Sequence, residues 1–515
     1  MSKKKVIQAG ICVVLLGAAV SGTAIAEENQ EYDSNVPEVV ISAKYEYQYD
    51  EAREQTIGNL DWQEIHLSEK STEDYPEMSK SLQKFNDNLS ADRKETFDSM
   101  LELYESADEY FPENGLSSSD SILLRRADGQ VLSFVDYHTD YMGGAHGYYS
   151  YTGTSFDAAS GKILSLEDVV TDEGSFREAV KEQLLKHPYS DEFQDLDESL
   201  TSYGTEEGDL FSWVLEEDGI TVFFNPYAIA SYAAGMIHVN ISFREYPDLF
   251  RDTYKIPEGN YMKELMQYYP EYITLADGEI AQVSISSETE AYEGEEGGYT
   301  DYGYYTAYNV TIGDNTLRHD SYFFWEKPFL VHLTDNRTYL YLQLTGDNDY
   351  RMVDVVDLSS GNPTFIGSFG GGFGWSYDEE QEASRGILPV DTQHFRLDTK
   401  IDLLSSYTGI RYYQVGEDGM PEALEEEYYK DNNYYSRPLV TKIDLDATLP
   451  EDNFLPVTIP AGETLDIIKT DGESYVDLRQ KDGTLVRLEV NGSGWPHTVN
   501  GIDETDCFEE LYYAG

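Results

Sequence analysis

The side chains between positions 138 and 157 that could move a proton or hold a metal are His138, Asp140, His146 and Asp157. A general base must sit beside the proton it takes, and a metal ion usually needs three or four ligands. His138 and His146, the latter inside the glycine-rich stretch YMGGAHGYYS over 141–150, are eight apart with turn-like residues between, so they could converge, but no third histidine lies near them in sequence. There is no HExxH, no GxSxG and no nucleophilic cysteine arrangement, and Ser150, Ser155 and Ser160 stand in no catalytic pattern. The reading therefore leans away from catalysis and toward structure or a binding surface. Tyr141, His146, Tyr148 and Tyr149 are the candidate contact residues. Gly143, Gly144 and Gly147 are the candidate turn residues, since glycine takes backbone angles and close approaches closed to other side chains. His146 can bond two backbone groups through its two nitrogens, and the tyrosines can pack along a strand with their hydroxyls paired.

The elements that must position this stretch are legible from periodicity. VVISAKYEYQY, 39–49, partly alternates and predicts a strand. Met78, Leu82, Phe85 and Leu89 fall on one helical face, Phe97 to Tyr104 continue a similar one, and Ser90 is a candidate cap for a second helix. LLRRADGQVLSFVDY predicts a hairpin at Asp128-Gly129, and TGTSFDAASGKILSL repeats the device at Ala159-Ser160-Gly161. Glu167 to Lys186 predicts one helix, Asp218-Gly219 another hairpin turn, and HVNISF a closing strand. This first region is expected to be α+β, an antiparallel sheet with packed helices. The region 256–445 is expected to be mainly β, either one sheet of a sandwich or a propeller-like blade, with GSFGGGFGW, 367–375, as a turning loop. No fixed-period repeat supports a regular propeller. Residues 446–515 hold three short strands with turns at Asp471-Gly472 and Asp482-Gly483, which fits a small SH3-like β barrel.

The N-terminus carries Lys3 to Lys5, an apolar run from Ile11 to Val20 and Ala24-Ile25-Ala26, which reads as a signal peptide over 1–26 cleaved after Ala26; an uncleaved anchor is the alternative. Removing those residues takes away three lysines and no acid, so the formal charge moves from -63 to -66, and Cys507 is left as the one cysteine. A field this negative repels nucleic acid and anionic lipid and attracts cationic partners. The same acids also simply keep an exported protein soluble.

YMGGAHGYYSYTGTSFDAASGKILSLEDVV, 141–170, resembles the DUF3298 domain known from RsiV-like extracytoplasmic proteins: a GGAHG turn, then FD, then SGK, then a hydrophobic strand running into LxD. DGITVFFNPYAIASYAAGMIHVNISF, 218–243, is similar to the tail of that domain, with Ser231 where its pattern usually has proline. The resemblance places a DUF3298 domain at 121–255 and a DUF4163-like module at 38–120 before it. In RsiV-like anti-sigma factors such a domain faces outward and binds lysozyme; in some wall deacetylases it accompanies a separate catalytic domain. Only ten residues precede the apolar run, and no deacetylase motif is present, so neither of those two designs is expected.

Three functions follow as expectations. The first is a secreted or cell-envelope noncatalytic binding protein that recognises lysozyme, another basic protein, or cell-wall glycan or peptide. The second is a wall hydrolase, which would need carboxylates paired across a cleft; Glu293, Glu295 and Glu296 are nameable but fit a solvated face better. The third is a structural or sensory exoprotein with a cation site. No cofactor is expected, while calcium stays open: Asp444, Asp446, Asp452 and Asn453 are oxygen-rich without matching an EF-hand loop.

Overall fold

The structure, a computed structural model, describes residues 36–107, 111–193, 196–197, 200, 212–255, 259–266, 269–289, 304–347, 350–378, 383–431 and 437–513. The signal-peptide reading and Glu293, Glu295 and Glu296 lie outside the described residues. The unit they form, Asn35–Gly515, is mostly strand with few helices.

Alternation builds the first sheet. β1 (Val39–Asp50) buries Val39 and Ile41 and exposes Tyr45, Tyr47 and Tyr49. It pairs antiparallel with β2 (Gln55–Leu67). After α1 (Glu69–Asp74), α2 (Pro76–Ser106) starts with proline at its first turn, where the missing N–H is no loss. It makes the crossover that lets β2 pair parallel with β3 (Leu116–Ala127). β4 (Val131–Tyr141) and β5 (Tyr148–Asp157) complete this side of a sheet that has seven strands in all. Met78, Leu82, Leu89, Met100 and Tyr104 keep one buried helical phase, so α2 runs unbroken through the point where a second helix was expected. Ser90 is no cap: its hydroxyl donates to Glu64. Asn86 fixes the helix to β2, donating to the Ile65 carbonyl at 2.9 Å and accepting from its N–H at 3.1 Å.

β3 runs across residue 120, so one sheet unites the segment read as the DUF4163-like module with the start of the segment read as DUF3298. The expected single helix over 167–186 is instead a one-turn α3 (Leu166–Val169) and then α4 (Glu173–Lys186). Val170 leaves the helix to bridge Phe250, and Asp172 caps the restart by accepting from Ser175 N–H at 2.7 Å. β6 (Ser212–Leu215), β7 (Gly219–Phe224) and β8 (Ile237–Ser242) form a three-stranded sheet. Phe176, Val180 and Leu184 of α4 share a core with Ile220, Val222, Val239 and Ile241 of that sheet.

The middle region is two stacked open sheets. One sheet holds β10 (Glu271–Thr274), β11 (Ile280–Thr289), β12 (Tyr305–Ile312) and β13 (Asn315–Phe323); in the other, β9 (Tyr261–Glu264) pairs with β14 (Trp325–His332), followed by β15 (Thr338–Thr345), β16 (Arg351–Asp357) and β17 (Thr364–Gly370). On one face Leu330, Leu340 and Leu342 meet Val283, Tyr308 and Val310 of the sheet built from 271–323. On the other, Phe329, Val331 and Tyr341 meet Phe395, Leu397 and Tyr413. Burial on both sides explains why TYLYLQL carries large apolar or aromatic side chains at five positions, Tyr339 to Leu342 and Leu344, on both faces. GSFGGGFGW is only partly the expected loop: its first four residues end β17, and only then does Gly371 turn the chain at φ +126. Trp375–Asp378 and Ala383–Ile387 add two strands to β1 in the first sheet.

The C-terminal strands form as expected, at Thr464–Thr470, Tyr475–Gln480 and Leu485–Asn491, with Gly472 and Gly483 at positive φ between them. They do not close into a separate SH3-like barrel. The edge of Thr464–Thr470 is taken by Tyr428–Lys430, which joins these strands to 395–415 in one open sheet. No described helix is long and apolar enough to cross a membrane.

Candidate functional site

YMGGAHGYYS is the tip of the β4–β5 hairpin, closed by the pairing of Asp140 with Tyr148. Gly143 and Gly144 take φ of +87 and +113, where a β-carbon is strained. Gly147 is needed for a different reason: a β-carbon there would lie 2.6 Å from the Asp140 carbonyl oxygen. Tyr141 donates its hydroxyl to the Gly144 carbonyl at 3.3 Å, and His146 Nδ1 donates to the Gly147 carbonyl at 2.8 Å.

A loop some eighty residues away in sequence packs on this tip. Asn225 ties it down, accepting from Tyr151 N–H at 2.8 Å and donating to the Tyr151 carbonyl at 3.2 Å. Tyr232 then stacks on His146 with ring centroids 4.3 Å apart and donates its hydroxyl to the Gly147 carbonyl at 2.9 Å. Tyr149 meets Tyr232 edge-on at 6.0 Å, and Tyr227 leans on Tyr232 at 5.5 Å. The cluster is only half covered. Tyr227 is 64% exposed and Tyr148 46%, and His146 is exposed too. The structure thus brings His146, Tyr149 and Tyr232 together, with Tyr148 beside them on the hairpin. Tyr227, Tyr232 and Asn225 were not singled out from sequence, although all three stand in the NPYAIASYAAG stretch that carries the family likeness.

The two histidines do not converge on a ligand. His138 sits lower on β4, between Asp120 at 2.9 Å from Nδ1 and Asp140 at 2.8 Å from Nε2. Arg93 from α2 reaches the same Asp120 at 2.8 Å. Burial alone would lower the His138 pKa, but the two carboxylate hydrogen bonds outweigh it and push it up to about 9. Neighbouring Asp136 is pushed up to about 7 by burial, with the Asp120 charge adding to it. This is an ion-paired patch under a helix, held by Asp120, Asp140 and Arg93. Asp157 lies at the far end of β5, where it accepts from Ser160 and from the Tyr254 hydroxyl. Of the oxygen-rich residues near 450, Asp444 accepts from Ala461 N–H at 2.9 Å and Asn453 adopts a left-handed conformation. No cluster of three or more metal-ligating His, Cys, Asp or Glu side chains occurs among the described residues.

Sequence reasoning missed a buried charge knot. Arg125 donates to Glu216 at 2.8 Å and to Glu271 at 2.6 and 2.8 Å. Lys263 meets the other oxygen of Glu216 at 2.5 Å. All four side chains are almost wholly buried. Burial raises the pKa of Glu216, but Arg125 and Lys263 outweigh it and hold the carboxyl down at about 2. The available signal was LLRRA, two arginines directly after the apolar run Ile122–Leu124 of β3.

Residues 167–244 match the family model described as "Protein of unknown function (DUF3298)", so this stretch is a DUF3298 domain. It holds the Asn225–Tyr232 side of the aromatic cluster; the hairpin tip lies just before it. Among solved structures, a DUF3298 family member from Bacteroides fragilis NCTC 9343 is similar at 16% identity, covering 43% of this chain and 96% of its own, with a TM-score of 0.33. A DUF3298 family protein from Pseudomonas aeruginosa PAO1 is similar at 17% identity, covering 42% and 96%, with a TM-score of 0.31. No curated protein matches the chain.

Proposed function

We propose that this is a secreted or cell-envelope binding protein without catalytic activity, which takes a basic protein partner on the aromatic tip. A c-type lysozyme is the first candidate, in keeping with the RsiV-like resemblance and a DUF4163-like module at 38–120. The observation that carries the reading is the convergence of the two family-like segments, 141–150 and 225–235, on one half-exposed aromatic cluster. Exposed tyrosines are strong interface anchors because they offer large area at small entropy cost. The formal charge of -63 supplies the steering toward a basic partner.

The test is calorimetric titration of the protein with a c-type lysozyme at physiological salt. One-to-one saturable binding is expected, weakened about thirtyfold, or about 2 kcal/mol, by Tyr227→Ala or Tyr148→Ala. Heat that vanishes in moderate salt, or that is equal in the variants, would refute recognition by the tip.

A further inference from the structure

A second concave site lies apart from the exposed end of the tip. A cavity of about 580 Å³ opens between the sheet of β1–β5 and the sheet of β9 and β14–β17. Its size falls in the ~300–1,000 Å³ range of small-molecule sites, and such sites favour junctions between layers. One wall is Gln63 of β2, Ser121 and Leu123 of β3, Tyr137 of β4 and Tyr151 of β5. The facing wall brings Glu264, Trp325, Glu326, Lys327, Gln343 and Arg351.

The wall chemistry narrows the ligand. Gln63 accepts from Ile122 N–H through its Oε1, and Gln343 accepts from Phe373 N–H through its own. What these two amides offer a ligand is therefore N–H donors. Glu264 and Glu326 offer acceptors, and each is already tempered: Glu264 lies 3.0 Å from Lys327, and Glu326 accepts from Ser287 at 3.0 Å. Two acids face two bases here, in a protein whose overall charge is -63. An anion would meet the carboxylates and the field of the whole chain; a cation would meet Lys327 and Arg351. Hydroxyl groups, which donate and accept together, suit a wall of mixed donors and acceptors. The aromatic rings supply the apolar side. Trp325 is 64% exposed, and Tyr137 and Tyr151 lie with ring centroids 4.7 Å apart. From Tyr137 a further ring, Tyr149, follows at 6.3 Å, so the aromatic lining continues beyond the cavity.

We propose that this cavity binds a short, uncharged oligosaccharide, with sugar hydroxyls on Gln63, Gln343, Glu264 and Glu326 and a sugar face on Trp325 and Tyr137. The site is distinct from the protein-binding tip and stands or falls without it.

The experiment is titration of the full protein, followed by tryptophan fluorescence and by calorimetry, with uncharged trisaccharides of N-acetylglucosamine, β-linked glucose, α-linked glucose and xylose. A uronic-acid trisaccharide is the charged control. Saturable binding of at least one neutral trisaccharide is expected, weakened tenfold or more by Trp325→Ala and by Ser121→Phe, whose ring takes up part of the cavity. Trp325→Ala alters an exposed ring, so it decides the matter if Ser121→Phe does not fold. Tyr148→Ala, outside the lining, leaves sugar binding unchanged, which separates this site from the lysozyme reading. No saturable binding of any neutral trisaccharide at low-millimolar concentration, equal binding of the charged control, or binding indifferent to Trp325→Ala overturns the proposal.

Discussion

The two ends of strands β3, β4 and β5 invert the usual rule about what a protein hides. At one end Arg125 is buried among Glu216, Glu271 and Lys263. At the other, tyrosines and a histidine stand half out of the surface. The four-residue knot is matched: each of its carboxylates has a cation within hydrogen-bond reach, and Arg125 also donates to the Glu264 carbonyl. A matched, buried knot binds segments from four parts of the chain into one arrangement and offers nothing to a partner. The aromatic end is matched only below. The rings brace one another, yet their outer faces are left for something else. Buried charge at one end is architecture, and exposed ring at the other is available surface.

Breaking the knot has the largest effect. Arg125→Met leaves Glu216 and Glu271 facing each other with only Lys263 between them, and is expected to cost about 3–5 kcal/mol in chemical denaturation. Between the two ends, Gly153 on β5 lies against β6, where a β-carbon would fall 1.9 Å from the Trp213 carbonyl oxygen. Gly153→Ala is expected to cost about 3 kcal/mol, because two backbones must separate. If it costs nothing, the close approach of β5 and β6 is wrong.

The His138 patch gives a pH test nearer the aromatic end. With its folded pKa raised to about 9, His138 contributes stability that is complete below about 6.5 and is lost as pH rises through 9. His138→Gln is expected to cost about 2 kcal/mol at pH 6, a gap from wild type that closes by pH 10. Asp136 also has a raised folded value, so its contribution is complete below about 4 and lost as pH rises through 7. Asp136→Asn should therefore gain on wild type between pH 4 and 7 and hold that gain above; parallel melting curves across this range would contradict it. The smallest effect on folding belongs to the tip itself. Tyr227→Ala and Tyr148→Ala are expected to change stability by no more than about 0.5 kcal/mol, although they carry the largest expected loss of partner affinity.

Local features were well marked in the sequence. The aspartate-glycine pairs at 128, 218, 471 and 482 all stand between strands, and at two of them, Gly472 and Gly483, the glycine takes the positive φ that other residues resist. TYLYLQL and YRMVDVVDL became neighbouring strands. Errors came where a distant contact overrode a local signal. Ser90 looked like a cap until Glu64 took its hydroxyl, and the helix at 167 broke because Val170 pairs with Phe250. The C-terminal strands looked self-sufficient until Tyr428–Lys430 occupied their edge. For the site, sequence named one half of the aromatic cluster and left Tyr227 and Tyr232 unremarked.

What the sequence determined by itself was a part of the strands and turns, the negative field and the glycine tip, since each depends on residues close together in the chain. Only the tertiary structure decided that LLRRA meets LEEDG in a buried charge knot, that His146 lies on Tyr232, and that a cavity forms where residues 63, 137 and 325 face one another. These pairings join positions from 74 to 262 residues apart, and no local propensity specifies them. They follow from which sheet faces can be buried against each other once every strand has found its partner.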